Sequence, residues 1–187
     1  MGPSMAADIG SLLRALDEVI IPALPESESL ALEQAHLMLL YLRRMDSQHE
    51  HLLHYRQREL SEFFYLLSTL YEISKEAGLD LGNLDQPVVQ MLGKISPWVS
   101  LNIPSYASIE NSVVEVREIT DQLVRLITTS SSSASSLKLK AQHAVLAQAM
   151  AEVIRERAWN KEAGFDFDVA GLPAMDVLLN SESDGAV

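Results

Sequence analysis

A glutamate and a histidine three residues apart, Glu33 and His36, are the side chains of this chain best suited to do chemistry. At that spacing both lie on one face of a helix. In carboxylate-bridged di-iron bundles two helices each carry such a pair and two more each add a glutamate. Only one copy occurs here, so a complete di-iron centre is not expected. The metal reading is instead a single ion held by Glu33, His36 and a second histidine, His143, which stands in the series Leu139, His143, Leu146, Met150, Val153. If the helices bearing His36 and His143 are both central, the two imidazoles approach each other. Neutral imidazole is a common metal ligand and a group that changes charge at about pH 6.5. The competing reading makes both histidines hydrogen-bonded residues in or near a core, with Glu33 in solvent or paired with an arginine.

A second set of candidates would bind rather than react. Phe63, Phe64, Met38, Met150 and Trp98 offer apolar surface for a small molecule lodged between helices, with His36 and His143 as its polar contacts. Arg43, Arg44, Arg56 and Arg58, with His49, His51 and His54, form a cationic segment in an acidic chain. It reads either as a solvated face or as a seat for an anionic ligand or acidic partner. Glu115, Glu118 and Asp121 read as a solvated face, with Arg117 and Arg125 in surface pairs worth little.

Other chemistries are excluded or unsupported. There is no cysteine, hence no disulfide scaffold, zinc-thiolate site, iron–sulfur cluster or thiol nucleophile. No Gly-rich phosphate loop, Gly-x-Ser-x-Gly elbow or His-Glu-x-x-His pair occurs. The net charge of −12 opposes binding to nucleic acid or anionic membranes. The longest apolar run, Leu37–Leu42, falls far short of the roughly 20 residues that cross a bilayer. The first ten residues lack the pattern of a secretory signal, so a cytoplasmic protein is expected.

The elements that must position these residues are helices. Apolar spacing of three and four predicts helices over about residues 8–20, 28–45, 48–77, 87–95, from Ser105 or Ser108 to about Ile127, and 137–160. Asp8 is the expected cap of the first and Gly78 the stop of the third. The second is apolar almost all round, which suits a central helix. In the last, the series Leu139 to Val153 is taken as the core-facing stripe. Residues 128–136, TTSSSSASS, read as a mobile connection. The tail from Phe165 to Leu179 is apolar enough to dock, and the chain frays from about Ser181. No strand pattern survives. The expected fold is all-α: a single domain over 1–187, an antiparallel bundle of four to five helices with a docked C-terminal tail.

Residues 11–46, SLLRALDEVIIPALPESESLALEQAHLMLLYLRRMD, resemble small bacterial helical proteins associated with acyl-CoA dehydrogenase and aminoglycoside-phosphotransferase-like genes. The shared features are an amphipathic helix, a proline-bounded turn and a strongly apolar helix. The resemblance implies a helical, bacterial accessory protein and carries no catalytic motif.

Three functions follow as expectations. The first is a non-catalytic helical accessory protein acting through self-association or partner binding, needing no cofactor. A homodimer through the second or third helix is its simplest form, since apolar surface there exceeds what a short chain can cover. The second is a metal-dependent bundle enzyme using Glu33, His36 and His143. The third is a binder of an apolar small molecule at Phe63 and Trp98.

Overall fold

The structure, a computed structural model, describes residues 4–100, 104–131, 134–161, 168 and 170–180, without the side chains of Pro97, Val99, Ser100 and Asn180. The described residues are helical with no strand. In order they form α1 (Met5–Arg14), a π-helical turn (Ala15–Ile20), α2 (Ile21–Ala23), α3 (Ser29–Gln48), α4 (Leu52–Glu76), a 3₁₀ turn (Gly82–Leu84), α5 (Asp85–Ser100), α6 (Tyr106–Thr129), α7 (Ser135–Trp159) and α8 (Met175–Asn180).

The contacts of the chain gather into two compact units. The first contains the described residues up to Leu52 and those within Arg155–Leu178; the second contains the described residues within Leu53–Ile154, with Leu179 and Asn180.

The second unit holds the larger core. Along α4, Leu60, Phe63, Leu66, Leu67 and Leu70 recur at steps of three, three, one and three, and all are buried. They meet Val88, Met91 and Ile95 of α5, Ile109, Val113, Val116, Leu123 and Ile127 of α6, and Leu137 and Ala141 of α7. Burying a leucine or isoleucine side chain here contributes about 1.5–3 kcal/mol before entropy is subtracted. The expected stop of α4 holds. Gly78 adopts φ 67°, a left-handed conformation that suits glycine. The Gly78 N–H donates to Lys75 O and the Leu79 N–H to Ser74 O, each at 3.0 Å, which closes the last turn as a Schellman motif. Ser105 caps α6, its hydroxyl accepting from the Ser108 N–H.

The first unit is thinner. Leu16, Ala35 and Leu39 are its buried cluster, flanked by Leu13, Ile21, Leu24 and Leu42. Ser4, not Asp8, caps α1. The first helix is also not one regular run, because a π turn interrupts it, with the Ile21 N–H reaching back five residues to Leu16 O. Pro22 stands at the start of α2 rather than ending the helix, as its missing N–H allows.

Two expected faces differ. α3 buries only Ala35 and Leu39, while Leu30, Leu37, Met38, Leu40, Tyr41 and Met45 are exposed, so it is not a central helix surrounded on all sides. On α7 the series Leu139, His143, Leu146, Met150, Val153 points to solvent, and Leu137 and Ala141 face the core instead. Facing positions on α7 are occupied by small residues, with Ala144 and Val145 packed beside Ala141. The Ser-rich segment is also shorter than expected, since α6 runs to Thr129 and α7 begins at Ser135; Ser132 and Ser133 lie outside the described residues. So do Phe165, Phe167 and the chain from Ser181.

Candidate functional site

The polar feature built most deeply into the fold is a carboxylate, Glu59, 3% exposed on the inner face of α4. An ionised carboxylate removed from water must be compensated. Arg56, one turn earlier on α4, donates Nη1 to Glu59 Oε2 at 2.6 Å. Arg117 of α6 donates Nη2 to Glu59 Oε1, also at 2.6 Å. Arg117 further donates to Glu152 of α7 and lies over the Phe63 ring, 4.6 Å from its centroid. One guanidinium therefore ties α4, α6 and α7 together. One turn along α4, Arg58 Nε donates to Glu62 Oε1 at 2.8 Å, and Gln148 Nε2 of α7 donates to Glu62 Oε2 at 3.3 Å. Burial disfavours the charge on Arg56, but hydrogen bonds to Tyr106 and Glu59 and the charge of Glu59 outweigh it and hold Arg56 above its ordinary value.

This arrangement is poorly suited to proton transfer. Both oxygens of Glu59 are held by guanidinium groups, and arginine does not give up its proton in proteins. The network is a clamp. Beside it, Phe63, Leu66, Thr120, Val124, Val145 and Ala149 line a groove of about 270 Å³ whose polar edge is Arg117, Asp121, Gln148 and Glu152. That lies below the roughly 300–1,000 Å³ typical of small-molecule pockets.

The expected site residues are placed as follows. Glu33 and His36 are exposed on α3, and His36 Nδ1 donates to the Leu32 carbonyl one turn back at 2.7 Å. His143 is exposed on α7. Among the described residues no group of three or more His, Asp or Glu side chains is arranged to hold a metal ion. Phe63 lies under Arg117 at the groove. Trp98 packs against the main core, with the Lys94 ammonium over its ring. The cationic segment is largely taken up by pairing within the chain. Arg43 meets Asp17 at 3.0 Å, and Arg56 and Arg58 meet Glu59 and Glu62. Arg117 is not in a surface pair of little consequence, because its partner Glu59 is buried.

Sequence reasoning missed Glu59 and Glu152. A signal for the first exists in the spacings Arg56/Glu59 and Arg58/Glu62, i, i+3 and i, i+4 on one helix. Glu152 has no local signal, since it joins the network only through the packing of α7 against α6.

A second cavity, of about 220 Å³, belongs to the first unit and is lined by Ser47, Gln48, His51, Trp159, Pro173 and Met175, among others. Gln48 Nε2 donates to Trp159 O at 2.6 Å across it. The part of the tail from Pro173 thus lies against the end of α3. No helix among the described residues is long and apolar enough to cross a membrane. No known family profile, curated protein or solved structure matches this chain.

Proposed function

We propose that this chain is a non-catalytic helical accessory protein that acts in the cytoplasm through self-association. Its framework on this reading is an antiparallel bundle of four to five helices with a docked tail. One observation carries the proposal: two long helices present large apolar residues to solvent at helical spacing. These are Leu30, Leu37, Met38, Tyr41 and Met45 on α3, and Leu139, Leu146, Met150 and Val153 on α7. Scattered apolar side chains are ordinary on a protein surface, whereas contiguous stripes mark interfaces. The saturated Glu59 clamp, which offers no free base, supports a structural rather than catalytic use of the buried charges. The resemblance of residues 11–46 to small bacterial accessory proteins points the same way.

Sedimentation equilibrium across the micromolar range tests the reading. The expected result is a mass above the 20.7 kDa of one chain, rising with concentration. A single 20.7 kDa species throughout would overturn it.

A further inference from the structure

The cavity of the first unit differs from the Arg117 groove in the charge it has to spare. At the groove, Arg117 is already engaged by Glu59 and Glu152. The cavity is lined by two partly buried nitrogen bases, Lys161 and His51, and by no Asp or Glu among the described residues. That balance runs against a chain with 26 acidic and 14 basic side chains. Neither the Lys161 nor the His51 side chain makes an ion pair or hydrogen bond among the described residues. A partly buried ammonium loses hydration, and an anion would replace it. The cationic segment leads to the same place. Its Arg43, Arg56 and Arg58 are paired with Asp17, Glu59 and Glu62, whereas His51 lines the cavity.

The rest of the lining describes the rest of the ligand. Trp159, Pro173 and Met175 give the cavity a mainly apolar wall. Two other polar side chains belong to the scaffold: Ser47 Oγ donates to Arg44 O at 2.9 Å, and Gln48 Nε2 donates to Trp159 O at 2.6 Å. The second bond fixes the end of α3 to the end of α7, so two walls are joined before any ligand arrives. The donors left for an anion are the Lys161 ammonium and one imidazole N–H of His51.

We propose that this cavity binds a small organic monocarboxylate, its carboxylate on Lys161 and His51 and its apolar body against Trp159, Pro173 and Met175. Charge selects the head group. One ammonium and a neutral imidazole balance a single negative charge, whereas a phosphate, at about −1.5 to −2 near pH 7, would be left under-neutralised. Volume selects the body. A cavity of about 150 Å³ takes benzene, so one six-membered ring with its carboxylate fits here, where the volume is about 220 Å³. A long acyl chain or a nucleotide does not. The site is independent of the self-association reading, which concerns the outward faces of α3 and α7.

Trp159 reports on its own cavity. The chain has two tryptophans, so in the full-length Trp98→Phe protein all tryptophan fluorescence comes from Trp159. Cyclohexanecarboxylate, which is transparent at these wavelengths, should change that emission saturably, with a dissociation constant below about 1 mM. Cyclohexylmethanol, a neutral molecule of similar shape, and inorganic phosphate should each bind at least about tenfold more weakly. Lys161→Gln should raise the dissociation constant for cyclohexanecarboxylate more than about tenfold, and His51→Ala about threefold or more, with the emission of the free proteins unchanged. Where a substitution shifts that emission, the comparison of carboxylate with alcohol, which needs no change at the cavity, decides alone. No saturable response to cyclohexanecarboxylate up to about 10 mM would overturn the site. Equal binding of the alcohol, undiminished binding by an otherwise unaltered Lys161→Gln protein, or tighter binding of phosphate would overturn the carboxylate assignment.

Discussion

At the scale of single residues, what distinguishes one ion pair from another is the solvent around it. Arg43–Asp17 and Arg117–Glu59 have similar geometry, at 3.0 and 2.6 Å. The first has both partners about half exposed, so Arg43→Ala should cost less than about 1 kcal/mol. In the second the carboxylate is buried, and removing a partner strands charge in a poor solvent. Arg117→Ala should therefore cost about 3 kcal/mol, the lower end of the range for breaking a buried pair, because Arg56 still holds the other oxygen. Urea denaturation of the two variants beside wild type measures the difference, and equal losses would refute the distinction. Arg56 and Glu59 share a helix and their pairing was readable from spacing. The third member, Arg117, was not, because nothing in the neighbourhood of residue 117 tells a surface arginine from one that reaches 58 positions back along the chain.

At the scale of elements, the helices themselves were legible and their orientations only partly so. α4 and α6 each have one dominant apolar stripe, and burial follows it: Leu60, Leu67 and Leu70 on one, Ile109, Val116, Leu123 and Ile127 on the other. α7 has two stripes of helical period. Counting large apolar residues selects Leu139 to Val153, but the core accepts the face with Leu137, Ala141 and the polar Gln148 and Glu152, because small side chains let α7 come close enough to α4 and α6 for Arg117 and Glu62 to find partners. α3 misleads in the same way: apolar on several sides, it has one neighbouring face to bury. Leu67→Ala should cost about 2–5 kcal/mol and Leu146→Ala less than about 0.5 in the monomer, a contrast that thermal unfolding would check. Gly78→Ala should cost about 1 kcal/mol, since alanine must take the left-handed conformation that closes α4.

At the scale of the whole molecule, the chain carries a built-in reporter for each of its two units, Trp159 in the first and Trp98 in the second. The first unit buries Leu16, Ala35 and Leu39 as its cluster, against a core of many large side chains in the second. The first should therefore melt at lower urea. Fluorescence of Trp98→Phe, which reads Trp159, should show an earlier midpoint than that of Trp159→Phe, which reads Trp98; coincident midpoints would mean one cooperative transition. The π turn at Ala15–Ile20 has a consequence for how this chain tolerates changes of length. Its widened hydrogen bonding, Ile21 to Leu16, holds slack within an otherwise continuous helix. Removing the exposed Glu18 would let that slack be taken up as ordinary α-helix, where a deletion in α4 or α6 would turn every following side chain by about 100° out of its core. Single-residue deletions inherited by descendants of this chain should accumulate between residues 15 and 20 before they appear anywhere else in its helices.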